Sequence, residues 1–245
     1  MTLSACVATK YQMTGKDAPG PTLLELTASN PPLDLALRTT IVYNGPGSWK
    51  NDALWDEYVV QIRNRGENTV TLTGAVLADF AGAGVLPGDD PWVLEKESQT
   101  LEQRYERAGV AFARGSIPHG LIAGASAVTA TSGGIVAGSV ATVAAASVIA
   151  LPVYYVVVWR VNHTNKAAVN SEFTRRRLAL PVTLAAGELR TGSLFFPMTP
   201  SPQSLTLRWS DGPAAGEVAL ALQPLQGLHE IASVPNGANE SRRTP

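Results

Sequence analysis

The chain has 245 residues, room for one large domain or two small ones and for a sizeable core. Charged residues make up only 16%, below the roughly 25% usual for soluble domains, and 19 basic against 20 acidic side chains leave a net charge of -1. No overall field gathers polyanions, so nucleic acid is not expected as a partner, and a single cysteine excludes an internal disulfide framework and a cysteine-rich zinc site.

That cysteine closes the sequence Leu3-Ser4-Ala5-Cys6. These four residues resemble the lipobox of bacterial lipoproteins, in which an apolar and two small residues precede the lipidated cysteine. The resemblance implies a lipid on Cys6, and Val7 in place of an Asp implies sorting to the outer membrane. Such a box ends a signal peptide, and only Met1 and Thr2 precede it here. Either a signal lies upstream or Cys6 is an ordinary thiol near the terminus. Residues 7–32 hold four prolines and little periodicity, as a tether or an irregular arm would, so residues 1–32 are read as a lipidated N-terminus and tether.

From Leu33 the period becomes two. Leu35, Leu37, Thr39 and Ile41 alternate with more polar neighbours, as do Tyr58, Val60 and Ile62, and Val70, Leu72 and Val76, which predicts half-buried antiparallel strands over residues 33–90. Arg65-Gly66-Glu67-Asn68 reads as a tight connection whose Gly and Asn tolerate positive φ. Asp90 and Pro91 supply a cap and a first helical position, with Trp92, Leu94, Leu101, Tyr105 and Ala108 as contacts of an amphipathic linking helix over 91–113.

Between Arg114 and Arg160 lie 45 residues without one Asp, Glu, Lys or Arg. Charge-free stretches of this length suit hydrocarbon, so residues 114–160 are expected to insert in a membrane. Thr131-Ser132-Gly133-Gly134 at the centre supplies a turn, which makes the segment an apolar helical hairpin with both ends on one side. Arg114 and Arg160 flank it, and Tyr154, Tyr155 and Trp159 form an aromatic belt at the membrane interface. Gly120 with Gly124, and Gly134 with Gly138, place small residues on one helix face. With Gly133 they form a packing stripe that resembles a glycine zipper, which implies close helix association within a hairpin or among copies. A soluble hairpin packed on the β-rich parts is the alternative.

After the run, Arg175-Arg176-Arg177 precedes LALPVTL, SLFFP, SLTLRW and EVALAL, again with strand alternation over 161–232. Residues 233–245 read as a disordered polar tail. Neither β-rich half suffices alone, so together they are expected to build one Ig-like antiparallel β-sandwich interrupted by the hairpin, a mainly β fold.

Chemical motifs are weak. His119, His163 and His229 are scattered, and no HExxH, GxSxG or phosphate loop occurs, so no catalytic residue, metal or cofactor is expected. The expected function is therefore structural: a non-enzymatic lipoprotein of the bacterial outer membrane facing the periplasm. Its partners are the lipid bilayer and either copies of itself or a larger envelope complex, in an assembly or export channel. Two other classes remain. A membrane-anchored binding module would hold a protein or glycan around Trp49, Trp55 and Trp92, and a hydrolase would gather His229 with carboxylates.

Overall fold

The computed structural model describes Met13 and residues 23–50, 52–110, 112–116 and 165–230. The fold is mainly β, with two antiparallel sheets and two helices. The first sheet runs β1 (Leu23–Asn30), β2 (Leu33–Ile41), β3 (Trp55–Asn64) and β7 (Leu189–Pro197), in that order. The second is built on β4 (Val70–Ala78), which pairs with β8 (Ser204–Asp211), and β8 with β9 (Ala214–Ala221). Two short strands, β5 (Gly84–Val85) and β6 (Val182–Leu184), take different parts of the remaining β4 edge.

Alternation puts one face of each sheet into a shared core. Leu33, Leu35, Leu37, Tyr58, Val60, Ile62, Leu194 and Phe196 come from the first sheet, and Val70, Leu72, Ala75, Leu77, Leu205, Leu207, Val218 and Leu220 from the second. Burying these apolar faces against each other is what holds the two layers together, in a β-sandwich. Sequence halves on either side of the uncharged run contribute to both sheets, through β3 with β7 and β4 with β8.

Three details depart from the sequence expectation. Residues Leu23–Asn30, inside the stretch read as tether, add an edge strand to β2. In β4 the register shifts between Leu72 and Gly74, so Ala75 and Leu77 point inward and Val76 does not. The connection at 65–68 crosses between sheets, and Gly66 is not among the positive-φ residues; a Cβ there would lie 2.8 Å from Pro32 Cβ, so close approach is what calls for glycine.

Helix α1 (Pro91–Arg107) begins as expected, with Asp90 Oδ1 accepting from the amides of Trp92 at 2.7 Å and Val93 at 3.1 Å. It buries Leu94, Ser98 and Tyr105. The Ser98 hydroxyl donates to the Leu54 carbonyl and accepts from the Met198 amide, tying the helix to the ends of the β2–β3 loop and β7. A second helix, α2, covers 165–176, where no helix was expected, and sinks Val169 and Phe173 beside Leu94, Trp55 and Phe195. The two helices bury the outer face of β3 at Trp55 and Glu57, while Val59, Gln61 and Arg63 further along are less enclosed. Among the described residues no helix is long and apolar enough to cross a membrane.

Candidate functional site at one pole of the sandwich

The β2–β3 loop, residues 42–54, is the hub of this pole. Asn44 and Asp52 both adopt positive φ and clasp each other: the Asp52 amide donates to Asn44 Oδ1 at 2.9 Å, and Asn44 Nδ2 and the Tyr43 hydroxyl donate to Asp52 Oδ1 at 3.1 and 3.0 Å. Asn and Asp are the residues that tolerate this backbone conformation best. Burial, with help from the Asp52 carboxylate, pushes the Tyr43 phenol up from its ordinary value, so the phenol remains a donor.

Three chain segments meet this hub. Met13 forms a bridge with Lys50, bringing the N-terminal arm to the loop. Gly115, at φ 71°, sits so close that a Cβ would fall 2.7 Å from the Tyr43 carbonyl. Lys50 Nζ and Lys166 Nζ lie 5.3 and 5.0 Å from the Trp92 ring centroid, so the start of α2 adjoins the loop through the start of α1. Gly115, one residue past Arg114, and Lys166, six residues past Arg160, thus both reach this hub, directly on Tyr43 and through Trp92, and Met13 meets it at Lys50.

Residues 112–116 are bound to 228–230 by four hydrogen bonds. The Ala113 amide donates to the His229 carbonyl at 2.8 Å, the His229 amide to the Ser116 carbonyl at 3.0 Å, the Ser116 hydroxyl to the Glu230 carbonyl at 2.9 Å, and the Gly115 amide to His229 Nδ1 at 3.1 Å. Because Nδ1 accepts, the ring proton of neutral His229 sits on Nε2, which donates to Asp56 Oδ2 at 2.7 Å. The His229 and Asp56 side chains are 0% and 1% exposed. Phe112 stacks on the imidazole at 5.8 Å and Tyr105 on Phe112 at 6.5 Å, and the Tyr105 hydroxyl donates to the buried Asp79 at 2.9 Å. Burial and that carboxylate push Tyr105 up to about 12.

This is the gathering of His229 with a carboxylate that a hydrolase requires, but its chemistry is closed. Both imidazole nitrogens are engaged, the pair is sealed from solvent, and the nearby Ser116 hydroxyl is turned to a carbonyl. A general base needs a free nitrogen within reach of a nucleophile. Among the described residues no group of three or more His, Cys, Asp or Glu is placed to hold a metal.

The aromatic residues considered for ligand binding do come together, but as a packed layer. Trp55 is buried between Trp49 at 6.4 Å and Phe173 at 6.0 Å, Lys50 Nζ lies 4.3 Å over its ring, and Trp49 Nε1 donates to Glu57 at 2.7 Å. The cavity left among Trp49, Lys50, Trp55 and Glu57 is about 10 Å³, room for one water at most. The basic triplet is also used internally: Arg175 and Arg176 grip Glu172, Arg176 reaches Glu57 at 3.4 Å, and Arg177 Nη1 donates to the Asp89 carbonyl at 3.2 Å.

Of the predicted site residues, Arg114 is described, and its guanidinium holds Glu102 of α1 at 3.0 and 2.6 Å. Cys6, the packing residues Gly120, Gly124, Gly133, Gly134 and Gly138, and the interface residues Tyr154, Tyr155, Trp159 and Arg160 lie outside the described residues, as do His119, His163 and the tail from 233. Missed by sequence reading were Asp56, the partner of His229 across 173 positions, and the loop pair Asn44 and Asp52. The signal that finds Asp56 is a carboxylate on the inward face of a strand that is otherwise apolar there. No family model, curated protein or solved structure matches the chain.

Proposed function

We propose that the chain is a non-enzymatic component of a bacterial envelope membrane, in which the sandwich is a rigid platform that holds an apolar hairpin into the bilayer. The observation that carries this reading is the convergence of three segments on the β2–β3 loop: Met13 on Lys50, Gly115 on Tyr43, and Lys166 beside Lys50 on Trp92. A hairpin needs its two ends adjacent and on one side, and an uncharged run of 45 residues is long enough for two passes when one arm is marginal. Cys6 lies seven positions before Met13, a reach of at most about 25 Å, so a lipid on Cys6 would enter the same membrane as the run. A lipid chain plus a second membrane signal is the combination that gives stable anchoring.

In this reading Gly120, Gly124, Gly133, Gly134 and Gly138 let the arms, or copies of the chain, approach closely, while Tyr154, Tyr155, Trp159, Arg114 and Arg160 mark the interface. The platform is of the Ig-like kind. Strands β2, β3 and β7 in one sheet and β4, β8 and β9 in the other follow the A-B-E and C-F-G orders of such domains, with β1 and the β5 and β6 edges as additions and the run inserted between C and E. Assembly into an oligomeric scaffold or channel rests on the small-residue stripe, and its place in the outer membrane, facing the periplasm, on the lipobox resemblance with Val7 after Cys6.

The test is flotation of the purified full chain with phospholipid vesicles at high salt, followed by sizing of detergent-extracted particles. The reading expects association that salt does not reverse and particles larger than one chain. A chain that stays in the aqueous fraction without amphiphile overturns membrane insertion, and a strictly monomeric particle removes the scaffold.

A further inference from the structure

We infer that His229 is an acid-operated latch on residues 112–116, the segment from which the chain enters the uncharged run. Its purpose, freeing the base of that run, rests on the membrane reading above; the latch itself is defined by the described residues alone. The geometry requires a neutral imidazole. Nδ1 accepts from the Gly115 amide and Nε2 donates to Asp56, so the single ring proton satisfies both contacts. An imidazolium carries protons on both nitrogens and accepts nothing. Protonation keeps the Asp56 contact, now with a charged donor, and sets Nδ1–H against the Gly115 N–H. Turning the ring over does not help, because either nitrogen then presents a proton.

Two features make this contact decisive. Gly115 has little room to yield towards the loop, since even a Cβ added to it would fall 2.7 Å from the Tyr43 carbonyl oxygen. His229 itself is held at φ 58°, a left-handed conformation that side-chain-bearing residues adopt at a cost of about 1–3 kcal/mol unless their surroundings impose it. Losing one of the four bonds across 112–116 and 228–230 therefore favours relaxation of the histidine backbone and parting of the two segments.

The charged and titratable groups around the ring do not replace the lost acceptor. Asp56 faces it from β3, with the buried Tyr58 hydroxyl two residues on. Arg114 is occupied by Glu102 of α1, Tyr105 lies behind Phe112 with its proton on Asp79, and Glu230 offers its carbonyl to Ser116. Phe112 stacks on one face of the ring. No carboxylate or carbonyl among these contacts the Nδ1 side in place of Gly115.

The test is nuclear magnetic resonance of the full chain in detergent micelles, from about pH 8 to 4, the range in which histidine titrates. The His229 ring nitrogens report tautomer and proton, and the hydrogen-exchange protection factors of Gly115 and Ser116 report the latch. The expected result is an Nε2–H tautomer at high pH and a fall of at least about tenfold in both protection factors as the ring gains its second proton. His229→Gln, whose amide can both accept from Gly115 and donate to Asp56, keeps protection across the range. The inference is overturned if the ring is protonated while protection holds, if it stays neutral throughout, or if His229→Gln opens with the same pH profile. Should that variant not fold, the wild-type titration decides alone. Micelle-bound protein is used in every arm, so a failure of vesicle flotation is separately visible.

Discussion

Glu172 shows how much a single side chain on α2 is asked to hold. Hydrogen bonds from Arg175, then Arg176, bring its carboxyl down from 4.5 to about 2, against the opposing effect of burial. A depressed carboxylate stabilises the fold above its unfolded-state value and loses that contribution as pH falls towards the folded one. Glu172→Gln should therefore flatten the acid limb of stability between about pH 4.5 and 2, read by thermal unfolding at several pH values; an unchanged limb would place the titration elsewhere. Tyr105→Phe removes the donor to Asp79 Oδ2 and leaves the amides of Ala81 and Ala83 on Oδ1. A buried acceptor stripped of one donor costs about 1–3 kcal/mol, which denaturant unfolding would resolve. At this scale the legible residues were those whose role is local: Asp90 caps amides two and three positions away. The partnership of His229 and Asp56 was not legible, because only the closed sandwich brings positions 173 apart into contact.

Elements were legible where one periodicity governed them. Strands β2 and β3 follow the alternation of Leu35, Leu37, Tyr58, Val60 and Ile62 directly. The bulge in β4 breaks that rule, since an extra residue reverses which side chains face inward and leaves no mark in an alternating sequence. Helix α2 was hidden because its buried positions, Val169 and Phe173, are only two, and nothing in the sequence assigned Arg175 and Arg176 at its end, or Arg177 just beyond, to Glu172, Glu57 and Asp89. Two substitutions test how the helices are held. Asp90→Ala removes the acceptor of the Trp92 and Val93 amides and should destabilise by about 1 kcal/mol. Leu94→Ala hollows the layer shared by α1, α2, Trp55 and Phe195, and a fully buried leucine lost in this way costs about 2–5 kcal/mol. Equal effects of the two in denaturant unfolding would contradict this and mean that the cap holds α1 as strongly as its packing does.

For the whole molecule, the proposed function makes the sandwich a fixed frame and the uncharged run its membrane-directed part. Composition alone marked the run, because 45 residues without a charge are rare outside hydrocarbon. Which end of the domain it leaves from was not readable, since that depends on Gly115 meeting Tyr43 and on Lys50 and Lys166 sharing Trp92. The measurement that bears most directly on the central claim is sidedness. In a Cys6→Ser background, Ser116→Cys and Asn165→Cys variants are inserted into sealed vesicles and treated with a membrane-impermeant maleimide. The hairpin account predicts that both positions are labelled from the same side of the bilayer. Labelling of the two from opposite sides would contradict it.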